Sequence, residues 1–193
     1  MSDSSQEKKE AIIKAALKLF TARGFDGTPT AKISQEAGVA TGTLFRYYPT
    51  KEALINSTYV LAKDHLARAM TTDLTDEKTL EGKLRCIWGN TIRWGLESPE
   101  ELLFLEQFMS SPYITKITEK EAMKRFAFLS ELLEEGVVEG KLRDIHRDLI
   151  FEIMFSANRA VIKKIATHGL QDQTEMLIDG SFELIWSGLS RKN

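Results

Sequence analysis

Between Thr30 and Tyr48, two short amphipathic runs are separated by a single glycine, and this segment constrains the fold more than any other. Two helices that nearly touch need a small residue at the contact, which Ser34 supplies. The tight turn between them needs a residue at ease with positive φ, which Gly38 supplies. Apolar side chains must then lock the pair, and Ile33, Ala37, Val39 and Leu44 fall at the spacing required. The segment therefore predicts a helix-turn-helix, with one helix over about 29–37 and a second, short one over about 41–47. Thr28 is expected to cap the first, with Pro29 at its first position.

With Leu44 buried, Thr41, Gly42, Thr43, Phe45, Arg46 and Tyr47 lie on the exposed side of the second helix. Such a helix can enter a DNA major groove and present its first turn to base edges. Gly42 lets the backbone approach closely. Arg46 can fork onto guanine or clamp a phosphate, and Thr43 and Phe45 can meet a thymine methyl. Lys51, beside the start of the next helix, can hold a phosphate with help from the helix dipole. Thr28 and Thr30 are expected to bind phosphate across the first helix. For each residue taken singly, plain surface polarity on a helical hairpin is the competing reading.

The rest of the chain reads as all-α. Sustained period-2 alternation and strand-flanked Asn-Gly or Asp-Gly turns are missing. The four prolines, at 29, 49, 99 and 112, punctuate helical runs. Helix 1 is expected over 5–23, opened by a Ser4/Glu7 capping box and ended by Gly24. Its stripe is Ile12, Ile13, Ala16, Leu17, Leu19 and Phe20. Helix 4 follows Pro49, with Thr50 as cap, and runs towards 71. Further helices are expected over 77–97, 100–109, 113–139, 146–167 and 172–189. The total is about nine helices: an N-terminal three-helix head over 1–50, and a larger helical body over 51–193 for ligand binding and dimerisation.

Charge distribution agrees with contact to phosphates at one end. Residues 1–51 sum to +3 and the remainder to −5, within a net charge of −2. Cys86 is the sole cysteine among 193 residues, so no intramolecular disulfide can form. That fits a reducing, cytoplasmic setting. It lies in an apolar stretch and reads as core. No apolar run reaches the roughly 20 residues of a membrane span, so no membrane partner is expected. The charged start of the chain does not read as a signal peptide. His65, His146 and His168 lack metal-ligand spacing, and no glycine-rich phosphate loop is present. Neither cofactor, metal nor catalytic residue is expected.

Residues 38–54, GVATGTLFRYYPTKEAL, together with Leu19–Phe25, LFTARGF, resemble the signature of the TetR/AcrR (tetracycline-repressor) family. Ile87-Trp88 and Trp94-Gly95-Leu96 are more softly similar to RamR-like, multidrug-responsive members. Pro29 stands where the family usually has threonine, and Ser34 where it usually has alanine. Pro29 removes one backbone donor from the helix start. The resemblance implies a non-enzymatic, homodimeric repressor on a palindromic operator of double-stranded DNA. A small hydrophobic or cationic effector entering the body would shift the two heads out of register with successive major grooves.

The last two helices are apolar on more than one face, with Leu149, Ile150, Phe151, Ile153, Met154 and Phe155 opening one run and Met176, Leu177, Ile178 and Phe182 the other. This fits a core on one side and a second subunit on the other; a wholly internal helix pair is the alternative. Tyr59 and Lys63, Leu84, Ile87 and Trp88, and Phe155 are the expected effector liners, most such aromatics otherwise being plain core. Glu152 interrupts the apolar run and could pair with a cationic ligand, or point to solvent. Two further readings stay open: a regulator without a small-molecule effector, and a ligand-binding or enzymatic helical protein whose head has lost DNA binding.

Overall fold

The computed structural model describes residues 3–109, 111–113 and 115–191. Ten α-helices follow one another among them: α1 (Asp3–Arg23), α2 (Thr30–Glu36), α3 (Thr41–Tyr47), α4 (Lys51–Met70), α5 (Leu80–Glu97), α6 (Pro99–Met109), α7 (Lys116–Met123), α8 (Ala127–Val138), α9 (Arg147–His168) and α10 (Thr174–Leu189). Short 3-10 turns occupy Leu74–Asp76, Lys124–Phe126 and Gln171–Gln173. The helix expected over 113–139 is thus interrupted, and counting α7 and α8 as that one run leaves nine. Among the described residues there is no strand, only an isolated antiparallel bridge between Leu142 and Ser190.

Helix ends follow local chemistry. Thr50 Oγ1 accepts the Ala53 amide at 3.0 Å and caps α4 as expected. Thr79 does the same for Gly82 at 2.9 Å, so α5 starts at Leu80 rather than near 77. Two expected caps are corrected. Ser4 lies inside α1 (Asp3–Arg23) and so does not stand at its N-cap position. Thr28 does not cap α2: Pro29, extended at φ −67° and ψ 139°, holds the N-cap position without any side-chain bond.

The contacts divide the chain into two compact units, residues 1–64 with 99–123, and 65–98 with 124–193. In this division the first turns of α4, together with α6 and α7, group with the helix-turn-helix. In the first unit α1 packs on α2 and α6. Its core holds Ile12, Ala16 and Phe20 of α1, Ile33, Leu44, Leu54, Ile55 and Tyr59, and Phe104 and Phe108 of α6, all buried. Phe25 sits amid an edge-to-face cluster, 5.3 Å from Phe20, 5.7 Å from Phe104 and 5.8 Å from both Phe108 and Tyr113, ring centre to ring centre. Tyr113 donates its hydroxyl hydrogen to Asp26.

In the second unit α5 packs on α9 and α10. Leu84, Ile87, Trp88, Ile150, Met154, Ile162, Ile178 and Phe182 are buried. Trp88 is fully enclosed, and its indole N–H donates to Ser181 Oγ at 3.0 Å, which removes the cost of burying that polar group. Arg93 forks onto Glu175 at 3.0 and 2.6 Å. Arg85 lies over the Phe182 ring and reaches Glu81, Asp179 and Glu183. Cys86 is half-buried rather than core, its thiol donating to the Thr72 carbonyl at 3.3 Å.

Candidate nucleic-acid interface

Helices α2 and α3 meet as the glycine spacing predicts. Gly38 adopts φ +66°, a left-handed conformation that costs a side-chain-bearing residue dearly. The Val39 amide donates to Ser34 O at 3.0 Å and the Gly38 amide to Gln35 O at 3.2 Å, the paired hydrogen bonds of a Schellman turn. Ile33 and Leu44 are fully buried, so both locking positions serve as expected; Ala37 and Val39 are half-buried. Lys18 on α1 pairs with Glu36 on α2 at 2.6 Å, an exposed contact. Each partner favours the other's charge, so the lysine pKa is raised and the glutamate pKa lowered, first through the hydrogen bond.

With Leu44 inward, Thr41, Gly42, Phe45 and Arg46 are exposed, and Thr43 and Tyr47 are half-buried. Phe45 leaves 40% of its surface to solvent, a large apolar exposure for the middle of a seven-residue helix. Gly42 has open space where a Cβ would stand. Arg46 lies over the Tyr47 ring, its Cζ 5.0 Å from the ring centre, and Nη2 donates to the phenol oxygen at 3.1 Å. Lys9 places its Nζ 5.6 Å from that ring centre, and Ser5 Oγ lies 3.0 Å from the Tyr47 hydroxyl. The Ser5 hydrogen bond first, and Arg46 second, lower the pKa of the phenol. Thr30 is half-buried at the start of α2, and Lys51 half-buried at the start of α4.

Thr28 departs from expectation. Its side chain is fully buried, and the hydroxyl donates back to Gly24 O at 2.8 Å and Leu19 O at 3.1 Å. It satisfies carbonyls at the end of α1 and presents nothing to an outside phosphate. Ser5 and Lys9, on the first turns of α1, join the arrangement around Tyr47 although no sequence motif marks them. Ser34 does more than leave room: its hydroxyl lies 3.0 Å from Thr41 Oγ1.

The expected effector residues fall in both units, each described by itself. In the first, Tyr59 is buried and stacked on Phe108 with ring centres 4.3 Å apart, and Lys63 Nζ lies 5.6 Å from the Tyr59 ring centre. Burial, and then the Glu119 charge, push the Tyr59 pKa up to about 12. In the second, Leu84, Ile87 and Trp88 are core, Phe155 is half-buried and Glu152 is exposed. Among the described residues no cluster of ligating side chains could hold a metal ion, and no helix is long and apolar enough to cross a membrane.

Comparison with known proteins agrees with this architecture. Residues 12–58 match the family described as bacterial regulatory proteins, tetR family, and residues 61–190 match a tetracyclin repressor-like C-terminal domain. A TetR-family transcription regulator from Marinobacter aquaeolei VT8 superposes with a TM-score of 0.92 at 26% identity, covering 100% of both chains. A tetR-family regulator from Shewanella sp. PV-4 is 30% identical with a TM-score of 0.87, covering 96% of this chain and 99% of its own. The regulator FadR from Bacillus subtilis, solved in complex with stearoyl-CoA, shares the fold at 20% identity and a TM-score of 0.77, covering 93% of this chain and 98% of its own.

Proposed function

The chain belongs to the TetR family of bacterial regulatory proteins, DNA-binding transcription regulators rather than enzymes, and from that premise we propose a homodimeric repressor that leaves a palindromic operator when a small effector binds. The observation that carries the DNA half of this reading is the face of α3, where Phe45 and Arg46 stand exposed on a helix whose inner side is anchored by Leu44. A short helix so anchored can lie in the major groove, with Thr41, Gly42, Thr43, Phe45 and Arg46 at base edges. Tyr47, Thr30 and Lys51 then serve the flanking phosphates.

Dimerisation through the last two helices is supported by what they leave exposed. Leu149 and Ile153, one turn apart on α9, are 51% and 49% exposed. On α10, Met176 and Leu184 are 61% and 76% exposed, and Gly180 and Gly188 complete an i, i+4 row with open space at their Cβ positions. Such a row of large and absent side chains suits close packing of a partner helix. Two heads so joined call for an operator with twofold symmetry.

For the effector half, Tyr59 and Lys63 lie a turn apart on α4 in the first unit; in the second, Leu84, Ile87 and Trp88 are core, Phe155 is half-buried apolar surface, and the exposed Glu152 is available to a cationic group. A hydrophobic or cationic molecule is the effector expected, and the stearoyl-CoA of the Bacillus subtilis structure makes long acyl chains the first to try. A cytoplasmic setting follows from the same role.

The test is to select binding sites from random duplex DNA, then to compare whole sites with isolated half-sites while adding ligand. The proposal predicts one dimer per symmetric site, much weaker half-site binding, and release by stearoyl-CoA or a lipophilic quaternary ammonium with a rise in Tm. A monomer bound to an asymmetric site would contradict the dimer. Operator binding indifferent to every hydrophobic and cationic ligand would contradict the effector.

A further inference from the structure

Ser34 is 2% exposed, and its hydroxyl makes two contacts, to Ala31 O at 3.0 Å and to Thr41 Oγ1 at 3.0 Å. A serine hydroxyl has one hydrogen to give, and the Ala31 carbonyl can only accept. Both contacts are made together when Ser34 donates to Ala31 and Thr41 donates to Ser34. A buried hydroxyl has no water to turn to, and this orientation makes both contacts full hydrogen bonds. In this orientation Thr41 gives its only hydrogen inward. What it shows outward, from the first residue of exposed α3, is oxygen lone pairs.

An acceptor of this kind is selective on DNA. Phosphate oxygens carry no hydrogen at neutral pH, and guanine O6 and N7 and thymine O4 also only accept. The major-groove groups that donate are the exocyclic amines, adenine N6 and cytosine N4. We infer that Thr41 is a specificity-determining residue that reads an exocyclic amine in each half-site, and that Ser34 is the positioning residue that makes it an acceptor. The inference rests on the DNA-binding reading above and adds a chemical rule to it. It also separates Thr41 from Thr43, for which no such inward bond is found among the described residues.

The test starts from a duplex that the wild-type protein selects from a random library. At each major-groove position in turn, adenine or cytosine is replaced by its analogue lacking the exocyclic amine, and affinities are measured for wild type, Thr41→Val and Ser34→Ala. At one position per half-site the wild type should lose about fivefold or more, and Thr41→Val should be indifferent there. Ser34→Ala, which shrinks a buried side chain without adding bulk, should keep its Tm within a few degrees. It should lose less than wild type at that position, because the freed Thr41 hydroxyl can donate instead. A merely structural role for Ser34 would weaken binding evenly at all positions, and that result would overturn the inference. So would the absence of any position where wild type feels the missing amine and Thr41→Val does not. A wild-type protein that selects no DNA would overturn both this inference and the reading beneath it.

Discussion

The Arg46 guanidinium lies against the Tyr47 ring, 5.0 Å from its centre, and donates to the phenol oxygen at 3.1 Å. Adjacent residues on one helix rarely face each other. Here the Ser5 hydroxyl also lies 3.0 Å from the Tyr47 hydroxyl, so the phenol oxygen is held from α1 as well as bonded by the arginine. A long cation that starts from a restrained position loses less rotamer freedom when it meets DNA.

Tyr47→Phe keeps the ring and its cation contacts but removes the oxygen that bonds Ser5 and Arg46. Operator affinity should fall by about tenfold or more, the size expected for one hydrogen bond to a charged group, with Tm nearly unchanged. Fluorescence anisotropy with the selected duplex measures the first, and thermal unfolding the second.

Gly38→Ala tests the turn. At φ +66° nothing lies within 4 Å of an added Cβ, so the penalty is conformational rather than a clash. A loss of about 1–2 kcal/mol in unfolding free energy is expected, measured by denaturant titration. DNA affinity should fall more than stability alone explains, because the turn sets the angle of α3.

Gly136→Ala is the opposite case, a matter of space. An added Cβ would stand 2.6 Å from both Leu142 Cδ1 and Leu80 Cδ2, and those leucines are 2% and 8% exposed and cannot swing aside freely. Overpacking of this kind should cost about 1–3 kcal/mol, visible in urea unfolding, without altering the α3 face.

Tyr59 supplies a pH dependence. Its folded-state pKa, pushed up to about 12 chiefly by burial, lies above the value near 10 of an exposed tyrosine. Folding therefore favours the neutral phenol. This contribution is present below about pH 10 and is lost as pH rises through about 12. Tyr59→Phe should flatten that part of the stability curve, as followed by Tm against pH. Tyr48 and Tyr113, also raised, account for loss that persists.

The helix-turn-helix was legible in the sequence because its demands are local: Ser34, Gly38 and Leu44 stand at fixed spacings, and each does what the spacing asks. Thr28 was not legible. A threonine before a proline reads equally as a helix cap or as a hydroxyl folding back on the preceding helix, and the choice depends on where the chain travels after Gly24. The break between α7 and α8 carries no proline or glycine to announce it. The cluster around Phe25 needs α6 packed on α1, a pairing across some eighty residues of chain that periodicity does not encode. The bracket of Ser5 and Lys9 around Tyr47 joins α1 to α3 in the same non-local way.

The most direct test of the account is the affinity of Arg46→Ala for the duplex that wild type selects, measured across a salt series. The account predicts sub-micromolar wild-type binding that weakens steeply with salt, and a loss of about a hundredfold or more in the variant, one contact gone from each half-site, with oligomeric state and Tm unchanged. Wild-type affinity and salt dependence in Arg46→Ala would contradict it.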